Sequence, residues 1–237
     1  MNDKAILLSA LVIADGEPDA VMESIVSLKT KFSDPDRIEI LLHVNDEDQD
    51  MILHLPELKA QGAIPVVQPT SVDPYPRGEH LNNLAKKATG YWLLPFDSNA
   101  LMTTNNWDTP LHRIRDDACM AYFKEIPATD EPYTYPVITA NIYRECGSIT
   151  LISQWADWLR NLVSLAGLRT YYLPDAVLSV VRKSSDVSTV MDFSKEVAEA
   201  LANNTEDSSV LVQHCLTLAE ELRTTLTSGA DIVAYYG

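Results

Sequence analysis

The apolar run from Tyr91 to Phe96 constrains the fold more than any other stretch of this chain. It is short and almost unbroken, which suits a strand buried on both faces of a parallel sheet. Before it, Leu81, Leu84, Ala85 and Ala88 keep helical spacing, and Gly90 reads as the helix stop. After it the chain turns polar at once, in Asp97-Ser98-Asn99. These are ordinary turn residues. A carboxylate at the C-terminal edge of a buried strand also stands where open α/β sheets bind ligands. The residues alone leave both readings open.

Strand and helix patterns alternate from the start of the chain. Ala5 to Ala14 reads as a first strand, apolar on both faces. Pro18 suits the first position of a helix whose buried stripe is Val21, Ile25, Leu28 and Phe32. Ile38 to Val44 is a second strand, followed by an acidic loop, Asn45 to Asp50, that includes Asp46. A second helix spans about Asp50 to Gln61 and closes at Gly62; Ile64 to Val67 is a third strand. This order predicts right-handed parallel crossovers. Gln68 to Glu79 holds three prolines and reads as a long loop, a kind of segment that is often functional. Its Arg77 either forks onto a phosphate or caps a surface carboxylate. Further on, the patterns predict a helix over Thr109 to Asp116 and a strand over Cys119 to Lys124. A second Pro-rich loop, Ile126 to Tyr135, is a candidate lid. Leu151 to Ala166 reads as a helix with Trp155, Trp158, Leu159 and Leu162 on one side, and Thr170 to Val181 as a strand.

These elements predict one α/β domain over residues 1–182, with a mainly parallel central sheet flanked by helices. Beyond Arg182 the composition shifts to serine and charge. Residues 183–237 therefore read as a linker and two C-terminal helices, 192–202 and 205–227, packed on the domain as an appendage.

Composition narrows the function. The formal net charge of −16 repels nucleic-acid phosphates and anionic membrane surfaces, which argues against a polynucleotide partner. No stretch reaches the roughly 18 apolar residues of a transmembrane helix. Three scattered cysteines form no C-x-x-C pair, which fits a reducing, cytoplasmic setting. The chain carries no Gly-rich phosphate loop ending in Gly-Lys-Ser/Thr, no G-x-S-x-G elbow and no H-E-x-x-H pair.

The order of motifs resembles the glycosyltransferase A fold, and family 2-like glycosyltransferases in particular. In that family an Asn begins a helix that ends in Thr-Gly, an aromatic-apolar strand follows, and an Asp-x-Asp motif closes it. Asn82, Thr89-Gly90 and Asp97-Ser98-Asn99 stand at those positions without a gap. The departure is Asn99, where the family has its second Asp. Asp46 matches the acidic residue that contacts base or ribose. Ala156-Asp157-Trp158-Leu159 resembles the family's Glu-Asp-aromatic segment, with Ala156 replacing the first acid; Asp157 matches the catalytic base. Taken alone, Asp157 reads first as a helix-surface carboxylate beside a tryptophan. The resemblance covers about Lys4 to Arg182 and leaves the C-terminal helices outside.

The resemblance implies transfer of a sugar from a nucleotide-sugar donor to an unidentified hydroxyl acceptor, with inversion. Asp46, Arg77, Asn82 and Asp97 are its expected donor-binding residues. A divalent cation, Mn²⁺ or Mg²⁺, is expected on Asp97 and Asn99 to neutralise the leaving diphosphate. Asp157 is expected to take the acceptor's proton. The alternative is a non-catalytic nucleotide- or glycan-binding module on the same fold, for which Asn99 and Ala156 are the signs.

Overall fold

The computed structural model describes residues 5–14, 17–70, 76–98, 100–126, 135–151, 155–180, 195, 197–198 and 210–227. Eight strands form one mixed sheet in the order β3-β2-β1-β4-β7-β6-β8-β5. Its first half is parallel: β1 (Leu8–Ile13) lies between β2 (Ile38–Asn45) and β4 (Trp92–Asp97), and β3 (Ala63–Gln68) forms the edge. All six residues of β1 and all six of β4 are buried. Their nearly unbroken apolar runs follow from cover on both faces of the sheet. The second half mixes directions. β7 (Pro136–Thr139) runs antiparallel to β4 and to β6 (Cys119–Ile126); β8 (Arg169–Val180) is parallel to β6 and antiparallel to β5 (Ala100–Met102).

Helices α1 (Pro18–Thr30) and α2 (Gln49–Ala60) follow the first two strands. Pro18 opens α1, where its missing N–H costs nothing. The Asp48 carboxylate accepts the Met51 N–H at 3.0 Å and caps α2. Ser24 of α1 donates to the Ala100 carbonyl, and Ser27 accepts the Met102 N–H, so α1 holds the short β5 by its backbone. Trp107 is fully buried between Phe32 and Phe123, and its indole N–H reaches the Leu28 carbonyl at 3.1 Å.

Two expectations need correction. The helix that contains Asn82 begins at Pro76, inside the stretch read as loop: α3 is Pro76–Ala85. Proline fits the first turn of a helix, so a Pro-rich approach does not mark a loop to its end. Thr109 to Asp116 holds only a 3₁₀ turn, Leu111–Arg113. Its Asp108 carboxylate is committed to Ser33 and His112, and Ile114 is already extended.

The short α4 (Ala140–Cys146) ends at Gly147, whose φ of 71° is the left-handed stop expected of glycine. α5 (Trp155–Leu165) follows. The final helix, α6 (Val210–Thr227), packs against α4 and α5. The anticipated linker and most of the first C-terminal helix lie outside the described residues. No described helix is long and apolar enough to cross a membrane.

Candidate functional site

Parallel strands leave their C-terminal ends on one edge, and the site is built there. In register, Ile13 at the end of β1 faces His43 of β2 on one side and Asp97 of β4 on the other. Asp97 is 3% exposed. Its Oδ1 accepts the Tyr135 hydroxyl at 2.7 Å, and its Oδ2 lies 3.9 Å from Arg77 Nη1. Tyr135 is also 3% exposed, and burial, with the Asp97 charge beside it, holds its pKa well above the usual phenol value. The phenol is therefore a fixed donor to Asp97 at neutral pH.

Arg77 stands in the first turn of α3, and its guanidinium lies 5.6 Å from the centre of the Trp155 ring, a cation–π contact. Trp155 opens α5 and is 4% exposed; its indole Nε1 is buried without a hydrogen-bond partner. Tyr135 packs on Phe96 and faces Trp155, with ring centres 5.1 and 6.4 Å away. Arg77, Asp97, Tyr135 and Trp155 thus come together from α3, β4, the end of the second Pro-rich loop and α5.

One turn after Arg77, His80 stacks on His43 with centroids 3.6 Å apart and planes 21° from parallel. His43 Nε2 is buried and unpartnered. Burial, and secondarily the neighbouring His80, push the His43 pKa down to about 4. The stack ties α3 to β2, with His43 neutral at physiological pH.

Asn82 serves the same neighbourhood differently. Its amide accepts the Ile149 N–H at 2.6 Å and donates to the Thr150 carbonyl at 2.7 Å. Both ends of the amide grip the chain between α4 and α5. Asp46 is exposed just past β2, on the same sheet edge as Asp97 but across β1, which separates the two strands by about 10 Å. Beside it, the Thr70 hydroxyl donates to Glu47 at 2.8 Å and Asn45 donates to Thr70 at 3.0 Å, linking the ends of β2 and β3.

Asp157 is held elsewhere. Its carboxylate accepts from Arg160 Nη2 at 2.8 Å on the same helix. Two residues of α-helix turn through about 200°, so Asp157 leaves α5 nearly opposite Trp155. The contacts around Asp97 include neither Asp157 nor Asp46. Asn99 lies outside the described residues. Tyr135 and Trp155 are the site members that sequence reasoning missed. Tyr135 was visible only as the end of a Pro-rich loop, and Trp155 only as one of a helix's apolar stripe.

Among the described residues the donor set does not fit a divalent cation. Asp97 is a single carboxylate with a phenol on one oxygen and a guanidinium near the other. Among the described residues no three His, Cys, Asp or Glu side chains gather as a metal would need. Arg77, 3.9 Å away, already offsets the single negative charge that a cation would bind. Nor is there a thiolate nucleophile: burial pushes Cys119, Cys146 and Cys215 each up to about 12.

No family model matches the sequence, and no curated protein does. Solved structures do. The mannosyltransferase PcManGT from Pyrobaculum calidifontis, in complex with GDP-Man and Mn²⁺, superposes with a TM-score of 0.63. The two are 9% identical over 97% of this chain and 77% of that one. S. aureus TarS 1–349 in complex with UDP-GlcNAc gives 0.59 at 12% identity, over 92% of this chain and 71% of that one. Glucosyl-3-phosphoglycerate synthase from Mycobacterium tuberculosis, with Mn²⁺, UDP and phosphoglyceric acid, gives 0.54 at 11% identity, over 76% and 72%. These proteins share an architecture with the chain at identities too low to carry over a reaction. The chain has the glycosyltransferase A fold.

Proposed function

We infer that this protein is a glycosyltransferase that moves a sugar from a nucleotide-sugar donor to a hydroxyl acceptor. The supporting observation is the meeting of Arg77 and Asp97 at the C-terminal edge of β1 and β4, on a fold whose solved examples include complexes with GDP-Man and UDP-GlcNAc. Asp46, two strands over on that edge, is positioned for the ribose or base of such a donor. Asn82 contributes by fixing residues 149–150 and so the approach to α5. In the reaction the bond from the anomeric carbon to the diphosphate oxygen breaks, and its electron pair stays on that oxygen. The acceptor oxygen bonds to the carbon from the opposite face, which inverts it. The acceptor's proton passes to a base. The expected metal assistance is not carried forward, because the donor set around Asp97 does not fit it. A cytoplasmic setting remains part of the proposal, on the scattered cysteines.

A panel of UDP- and GDP-sugars, assayed for release of the nucleoside diphosphate, tests the reading. Slow transfer to water needs no knowledge of the acceptor. The second reading, a binding module without turnover, is favoured by one observation: Arg160 occupies the Asp157 carboxylate, and the neighbouring residue is Ala156. It predicts nucleotide binding and no release.

The assignment of Asp157 as base is separable from the rest. A positioned base contributes about 10²–10⁴-fold in rate. Asp157→Asn keeps the shape and removes the basicity, so turnover should fall by about that range while nucleotide affinity holds. A release assay at saturating donor measures it, and an unchanged rate assigns the proton to another group.

A further inference from the structure

We propose that this site holds the donor's diphosphate with Arg77 and the Trp155 indole N–H, in the role a divalent cation plays elsewhere, so that nucleotide binding is independent of metal. The inference rests on the transferase reading and says which group meets the negative charge.

Three observations converge. Asp97, the carboxylate at the expected metal position, is already served by protein groups: the Tyr135 hydroxyl at 2.7 Å and the Arg77 guanidinium at 3.9 Å. The Arg77 approach is longer than a hydrogen bond and is not a bidentate fork. It is a charge held near a charge, on a guanidinium already braced by the Trp155 ring 5.6 Å away. The second observation is the indole itself. Trp155 is 4% exposed, and its Nε1 donor is buried with no partner. A buried donor without an acceptor is costly, and it leaves a hydrogen bond that an incoming phosphate oxygen can make. The third is placement. Trp155 is the first residue of α5, an 11-residue helix, so the positive end of that helix lies at the same wall.

The parts divide the work by charge. The Tyr135 phenol stays neutral and donates to Asp97, which stabilises the carboxylate without adding positive charge. Asp97 in turn keeps the guanidinium at the sheet edge. The guanidinium and the indole N–H are hydrogen-bond donors suited to phosphate oxygens, and the guanidinium cannot lose its proton at any working pH. As the donor's carbon–oxygen bond breaks, the charge that builds on the diphosphate meets a fixed cation.

Titration calorimetry of the full chain with UDP and with GDP, in EDTA and in excess Mn²⁺, tests this. The expected result is binding of one nucleotide with the same affinity in both buffers. Arg77→Met should weaken it by about 10–100-fold, the loss of a charged hydrogen-bond partner. Trp155→Phe keeps a ring under Arg77 and removes the N–H; it should weaken binding by about 3–10-fold. Circular dichroism checks that each variant is folded, and Arg77→Lys replaces Arg77→Met if that one is not. Binding that appears only with Mn²⁺, or is indifferent to both substitutions, overturns this inference and leaves the transferase reading standing. Binding of neither nucleotide in either buffer overturns both.

Discussion

Tyr135 gives Asp97 a hydrogen bond that water cannot easily replace, since both residues are 3% exposed. Removing the hydroxyl leaves a buried carboxylate short of a donor. Tyr135→Phe should therefore cost about 1.5–3 kcal/mol of stability, the range for hydrogen bonds to charged groups, read from urea denaturation. His43 makes a second residue-scale prediction, in acid. Its folded pKa of about 4 lies below the ordinary 6.5. A depressed value means the stabilising contribution is present above pH 6.5 and is lost as pH falls toward 4, because the unfolded chain takes up the proton first. The loss across that window is about 3 kcal/mol. Denaturation at pH 7 and pH 4.5 should show parent and His43→Phe converging as pH falls, with the variant the less sensitive of the two.

Among the elements, the joint between α3 and β4 leaves no room for a side chain. A Cβ on Gly90 would stand 2.6 Å from the Ser9 backbone nitrogen and 2.8 Å from the Leu8 carbonyl carbon. The Gly90 N–H also donates to Ser9 Oγ at 2.8 Å, and Glu39 binds both Ser9 and Thr89. Gly90→Ala must push β1 aside, so it should lower stability by about 1–3 kcal/mol, measured by thermal unfolding. The sequence marked Gly90 as a helix stop, whereas α3 ends at Ala85 and Gly90 serves the close approach to β1. β1 and β4 were legible because burial on two faces leaves few polar gaps. β5 was not. It is three residues long, and it is held by α1 and by β8, whose pairing residues lie about 80 positions on. The site divides the same way. Asp97 shows in the sequence because a strand delivers it, and Arg77 because a cation stands out in a Pro-rich stretch. The Asp97–Tyr135 pair spans 38 residues and follows no helical or strand period, so no pattern marks it. Asp157 shows the converse, since a motif gives position along the chain but not the side of the helix from which the carboxylate leaves.

At the scale of the whole molecule, the C-terminal helix packs on the domain and adds its apolar face to the core. Val212, Cys215, Leu218, Ala219 and Leu222 of α6 are buried, where the helix meets α4 and α5. Leu222→Ala should destabilise the protein by about 2–5 kcal/mol, the usual cost of a cavity in a packed core, and a shift of the urea midpoint without a change of slope is the expected signature. Arg77 and Asn82 share α3, five residues or about 7.5 Å apart along one stiff rod. A helix moves as a rod, so a displacement of α3 at Arg77 would reach residues 149–150 through the Asn82 amide.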